Sequence, residues 1–175
     1  CDFQIFFSPF YYSGCQRTPG YNKRERKNLK IAIAADHGGF EYKQKLIPYI
    51  QGLGHETTDF GTADETSVDY PDFAYALCEH VAAGKFQRGI LICGTGIGMS
   101  IAANKVCGIR CALCSESFSA RLSREHNNAN VLAIGGRTIG LEIAKDIISV
   151  WLSAEFSGDR HQRRADKITA LEKKL

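Results

Sequence analysis

The run Ile92-Cys93-Gly94-Thr95-Gly96-Ile97-Gly98 holds the residue types that carbon-acid chemistry needs. A thiolate can remove a proton beside a carbonyl, and a set of backbone N–H groups can hold the oxyanion that forms. Glycines at alternate positions let the backbone approach a ligand closely. Where such a loop opens a helix, its free N–H groups and the helix dipole favour negative charge, and the same field favours a thiolate. Thr95 is placed to pass a hydroxyl proton. Taken alone, the run is equally a glycine turn beside a buried cysteine. It is not a Walker-type phosphate loop, because no Lys-Ser/Thr pair follows. As a dinucleotide fingerprint it fits only loosely and lacks the acidic residue at the usual distance on a second strand.

Other segments carry matching chemistry. In Asp36-His37-Gly38-Gly39 the histidine can bind a phosphate and Asp36 can orient a sugar hydroxyl, or Asp36 can simply cap the next helix. His126, in Arg124-Glu125-His126-Asn127-Asn128-Ala129-Asn130, is an acid–base candidate near neutral pH, or a partner of a helix C-terminus. Arg160 and Arg164 are four residues apart and share a helix face. They can grip a phosphate by bidentate bonds, or form an exposed basic face. Arg137 follows Gly135-Gly136. The spacing of Cys107, Cys111 and Cys114 matches no standard zinc pattern, so they read as structural thiols. His55, His80 and His161 make no two-His-plus-carboxylate spacing, and no metal is expected.

The elements that must position these groups follow from the hydrophobic pattern. Short apolar or β-branched runs over Leu29–Ala34, His55–Asp59, Gly89–Ile92, Ile109–Leu113 and Val131–Ile134 predict strands. Between them Phe40–Leu53, Pro71–Ala83, Gly98–Lys105, Ser117–His126 and Leu141–Leu152 predict helices, and a last helix runs from about His161 to Lys174. Pro71 suits a first helical turn, with Asp69 as its cap, and Gly52 and Gly54 suit a helix stop. Strand–helix alternation predicts right-handed βαβ units and a five-stranded parallel sheet covered on both faces. The fold class is therefore an α/β three-layer α/β/α sandwich, Rossmann-like or flavodoxin-like, with a C-terminal helix. In such sheets ligands sit at the carboxyl ends of the strands. The Asp36, Cys93 and Gly135-Gly136-Arg137 segments all fall there.

Bulk properties bound the rest. With 175 residues, 44% hydrophobic and 23% charged, the chain has the make-up of one ordinary globular domain. Its net charge of +3 is concentrated in residues 1–28, where Arg17, Lys23, Arg24, Arg26 and Lys27 stand against Asp2 and Glu25. A basic tail on a neutral body argues against a nucleic-acid partner, which needs a clustered basic face. No run approaches the roughly 20 apolar residues of a membrane span. Seven cysteines, an odd number, suggest free thiols in a reducing compartment, the cytoplasm. Residues 1–28 read as an extension, expected to be poorly ordered. Asp2 and Pro9 spoil a signal-peptide reading of its aromatic run. The sequence leaves open whether it is a fragment, a targeting segment or a true appendage to a domain at 29–175.

Taken together, these residues resemble the ribose-5-phosphate isomerase B family, which also includes the galactose-6-phosphate isomerase subunits. The resemblance covers residues 29–175. It rests on Ala35-Asp36-His37-Gly38-Gly39-Phe40, Asp69-Tyr70-Pro71, Gly89 through Asn104, Leu122-Ser123-Arg124-Glu125-His126-Asn127, Asn130-Val131-Leu132-Ala133 and Arg160-His161-Gln162. It implies that Cys93 shuttles a proton between C2 and C1 of an aldose phosphate through a cis-enediolate. The amides of Gly94, Thr95, Gly96, Ile97 and Gly98 would form the anion hole, with the Thr95 side chain beside them. His126, helped by Asp36, would open the furanose ring. His37, Arg160 and Arg164 would clamp the phosphate, with Tyr70, Asn127 and Arg137 as further substrate contacts. The resemblance also implies no metal or organic cofactor. It implies a homodimer with shared sites, in which His126, Asn127 and Arg137 reach into the partner's site; some members are dimers of dimers.

Three functions are therefore in view. The first is interconversion of D-ribose 5-phosphate and D-ribulose 5-phosphate, a step of the pentose phosphate pathway. The second is the same chemistry on a hexose phosphate such as allose 6-phosphate or galactose 6-phosphate, which needs more room beside the Gly94–Gly98 loop. The third is a non-catalytic sugar-phosphate-binding module, against which the presence of Cys93, His126 and both arginines argues.

Overall fold

The computed structural model describes residues 28–172, so the extension lies outside the described residues except for Asn28. Five strands alternate with six helices. They are β1 (Lys30–Ala35), α1 (Phe40–Gly52), β2 (Glu56–Asp59), α2 (Tyr70–Ala82), β3 (Arg88–Cys93), α3 (Ile97–Ala103), β4 (Cys111–Leu113), α4 (Ser117–Asn127), β5 (Val131–Gly135), α5 (Leu141–Ser153) and α6 (Asp159–Glu172).

Every strand pairing is parallel, in the order β2-β1-β3-β5-β4. Alternate side chains of the central strands feed opposite faces, as the period of two requires. Ile31, Ile33, Ile90, Ile92, Leu132 and Ile134 pack with Leu46 and Ile50 of α1 and with Ile147, Ile148 and Trp151 of α5. Ala32, Ala34, Leu91, Cys93, Val131 and Ala133 pack with Leu77 and Cys78 of α2 and with Met99 and Ala103 of α3. This is the expected three-layer sandwich. Its last two strands are exchanged relative to the flavodoxin order. The long, fully buried β5 sits inside beside β3. The three-residue, half-buried β4 takes the edge, where short strands are tolerated.

Asp69 does occupy the N-cap position of α2, but its side chain caps nothing. Pro71 at the second helical position has no N–H to offer it, and the Asp72 N–H donates instead to the Asp69 carbonyl at 3.3 Å. No helix among the described residues is long and apolar enough to cross a membrane.

Candidate active site

The order of strand addition reverses between β1 and β3, the place where open parallel sheets bind ligands. Cys93 is the last residue of β3 and is only 5% exposed. It faces the layer formed by α2 and α3, so its sulfur lies beneath the start of α3. The Gly96 N–H donates to Cys93 Sγ at 3.0 Å. Gly96 has φ of +77°, and a Cβ there would lie 2.5 Å from Leu113 and 2.9 Å from the Ile134 backbone. Only glycine fits both constraints. The α3 helix has seven residues, so its dipole is small and the anion-binding capacity of the loop rests mainly on its own N–H groups. Thr95 is exposed, and its Oγ1 accepts from the Ile97 N–H at 3.3 Å.

The turn after β1 meets this loop. Gly38 marks the junction: a Cβ there would stand 3.2 Å from the Gly94 nitrogen, 3.3 Å from an Arg137 terminal nitrogen and 3.3 Å from Asp36 Oδ1. The Gly94 nitrogen, one residue from Cys93 along the β3 loop, the Arg137 guanidinium and the Asp36 carboxylate thus close around Gly38. Asp36 is buried, and its Oδ1 accepts from the Gly39 N–H at 3.0 Å; Gly39 is itself the N-cap of α1, so this bond closes the turn before the helix and does not cap its first turn. Gly39 itself is pressed against the Ile92 backbone, which locks the two turns together. His37 Nδ1 accepts from the Val68 N–H at 3.3 Å. That bond places the ring proton on Nε2, leaving a donor for an anion. Tyr70 lies at the start of α2 with its ring against Gly98, where a Cβ would fall 2.6 Å from Cζ.

Arg137 is a correction. The resemblance assigns it to the partner's site, whereas its side chain runs along Gly94 and ends over Gly38 of its own chain. Two backbone bonds, from Gly136 N–H to the Cys93 carbonyl at 2.8 Å and from Arg137 N–H to the Gly94 carbonyl at 3.0 Å, hold it there.

His126, Asn127, Arg160 and Arg164 form a second group elsewhere. Helix α4 returns from the carboxyl end of β4 to the amino end of β5, so its last residues lie at the opposite edge of the sheet from Cys93. The length of β5 separates the two groups, on the order of 15 Å. At this edge the His126 and His161 rings stack at 4.2 Å, with 4° between their planes. Arg160 Nε donates to His161 Nε2 at 3.3 Å, and Ser157 N–H ties the start of α6 to the Glu125 carbonyl at 2.9 Å. Burial pushes the His161 pKa down, and His126, Arg160 and Arg164 push it the same way. Asn127, Arg160 and Arg164 are exposed. The structure therefore gathers nine of the fourteen candidates around Cys93, itself the tenth, and sets four apart.

Gly38, Val68 and His161 were not singled out from the sequence. Gly38 had a signal in its Asp-His-Gly-Gly run. The Val68 N–H had none, being a backbone donor 31 residues from its acceptor. His161 was legible only as a histidine outside any metal pattern. Among the described residues no three His, Cys, Asp or Glu side chains gather as a metal-binding group. An open cavity of about 380 Å³ between Lys30, Glu56, Phe60, His80 and Lys85 contains none of the candidates.

Comparison with known proteins gives a consistent picture. The family model described as Ribose/Galactose Isomerase matches residues 31–168. Ribose-5-phosphate isomerase B of Escherichia coli (strain K12) is 50% identical over 145 residues, covering 83% of this chain and 97% of that protein. D-erythrulose-4-phosphate isomerase of Pectobacterium atrosepticum is 49% identical over 142 residues, covering 80% of this chain and 93% of that protein. The structure of Clostridium thermocellum ribose-5-phosphate isomerase B superposes with a TM-score of 0.82 at 53% identity, covering 83% of this chain and 99% of that one. With its fold, its Cys93 loop and these relatives, the chain belongs to the ribose/galactose isomerase family.

Proposed function

We propose that this enzyme interconverts D-ribose 5-phosphate and D-ribulose 5-phosphate, with Cys93 as the base. The observation that carries the reading is that Cys93, its Sγ held by the Gly96 N–H at 3.0 Å, starts the same loop whose Gly94 nitrogen meets Arg137 and Asp36 around Gly38. In the open-chain aldose, the Cys93 thiolate takes the C2 proton and the electron pair moves onto O1. The N–H groups of the Gly94–Gly98 loop hold that oxyanion. Thr95 passes the O2 proton to O1, and the Cys93 thiol returns its proton to C1 to give the ketose. Before this, His126 with Asp36 moves the protons that open the furanose ring. His37, Arg160 and Arg164 hold the phosphate, with Tyr70, Asn127 and Arg137 as further contacts.

The separation of the two groups supports a homodimer with shared sites. His126, Asn127, Arg160 and Arg164 cannot serve the Cys93 of their own chain, so each site takes them from a second copy. A hexose would need more room beside the Gly94–Gly98 loop, and the Tyr70 ring packs directly against Gly98 there, which favours the pentose. The relatives named for pentose and tetrose phosphates are 50% and 49% identical, so overall identity alone does not set sugar length. No step calls for a metal or organic cofactor. The described cysteines are all free thiols, which fits a step of the pentose phosphate pathway in the cytoplasm.

The test is turnover of four-, five- and six-carbon aldose phosphates, with and without a chelator. The reading expects ribose 5-phosphate to give the highest kcat/KM and the chelator to change nothing. Turnover of none of them would favour a binding module, and loss with chelator would require a metal.

A further inference from the structure

We infer that Arg110 and Arg124 are positioning residues for the reaction: together they hold the turn that presents His126 and Asn127 to the second copy's site. This rests on the reading that those two residues complete a shared site. The turn is a helix end, where carbonyls lack partners within the helix. Arg110 supplies them. Its Nε donates to the Asn127 carbonyl at 3.1 Å and to the Asn128 carbonyl at 3.2 Å, and its Nη2 donates to the Asn128 carbonyl at 3.1 Å. Arg124 works from the other side. Its Nη1 donates to Asn128 Oδ1 at 3.0 Å and to the Ala129 carbonyl at 2.5 Å. Asn128, held between them, is left-handed with φ of +49°.

Neither arginine has an acid to satisfy it. Among the described residues the ion pairs involve Lys43, Lys45, Arg121 and Lys145, never Arg110 or Arg124. Arg124 is only 3% exposed, its Nε has no partner, and burial together with Arg88 and Arg110 pushes its pKa down to about 9. Keeping an uncompensated guanidinium buried is costly. The turn compensates it in part: Arg124 Nη1 reaches two acceptors, and the Nε and Nη2 of Arg110 share the carbonyls of Asn127 and Asn128. The backbone bond from Arg110 N–H to Asn130 Oδ1 at 2.8 Å survives any substitution of the side chain, so the start of β4 keeps an anchor.

The experiment uses co-expressed pairs of differently tagged full-length chains, with hybrids purified through both tags and assayed on ribose 5-phosphate. Arg110→Met alone is expected to lose about 10²-fold in kcat, with a circular dichroism spectrum unchanged from the parent. Its hybrid with Cys93→Ala is expected to regain activity. In that hybrid one site takes Cys93 from the Arg110→Met chain and the intact turn from the Cys93→Ala chain. The control hybrid of Cys93→Ala with His126→Ala must regain activity for the same reason. Failure of the control overturns the shared-site reading itself. Recovery in the control but not in the Arg110→Met hybrid overturns the positioning role, as does full activity of Arg110→Met alone. If Arg110→Met does not fold, Arg110→Lys goes through the same pairing. There, recovery supports the inference, while no recovery or an unimpaired single variant overturns it.

Discussion

A base that removes a proton from carbon works best where water cannot compete, and Cys93, the proposed base, is 5% exposed and accepts a hydrogen bond from Gly96. His126 stands differently, at a helix end beside exposed Asn127. The two roles separate in one substrate. Ribulose 5-phosphate is acyclic, since its 5-hydroxyl is esterified, so deuterium exchange at its C1 in D₂O reports the proton-transfer step alone. His126→Ala is expected to lose about 10²–10⁴-fold in isomerisation of ribose 5-phosphate but far less in C1 exchange; ¹H NMR of ribulose 5-phosphate in D₂O reads both. Equal losses would place His126 in the enolisation step. The candidate residues stand out in the sequence because their types and spacing carry chemistry. The direction of Arg137 does not, because it is set by the backbone bonds to Cys93 and Gly94 across two strands.

At the level of elements, the turns do the positioning. Gly96 must be left-handed, and a side chain there would run into Leu113 and the Ile134 backbone. Gly96→Ala is expected to cost about 1–3 kcal/mol from the backbone alone, measured by urea unfolding. A loss near zero would mean that the loop relaxes freely. The α4–α6 junction carries a pH dependence. The folded His161 pKa lies below its ordinary 6.5, so the unfolded chain binds the proton more readily. That contribution to stability is fully present above about pH 6.5 and fades as pH falls through the window below it. His161→Phe keeps a stacked ring and removes the titration. It is expected to flatten the fall of urea midpoint between pH 7 and 5, and an unchanged slope would remove His161 from that role. The strands themselves were plain in the sequence: the Ile31-Ala32-Ile33-Ala34 run divides its side chains between the two cores as alternation requires. The exchange of β4 and β5 was not, since periodicity reports which segments are strands and says nothing of their neighbours.

At the scale of the whole molecule, the candidate residues of one chain fall into two groups at opposite ends of its strands. Beside the Cys93 loop, Ile97 and Ile101 stand one turn apart on α3 and are 51% and 58% exposed, with Leu113 of the edge strand at 42%. An apolar patch continuous with the loop suits the face of a second copy that brings His126. Ile101→Asp is expected to shift the protein toward monomer in analytical ultracentrifugation and to lose activity in parallel, while an active monomer would contradict shared sites. The central claim, that Cys93 is the base, is tested most directly by C1 deuterium exchange into ribulose 5-phosphate with Cys93→Ala. The account expects exchange and isomerisation to vanish together while phosphosugar binding, followed by calorimetry, persists; exchange at the parent rate would contradict it.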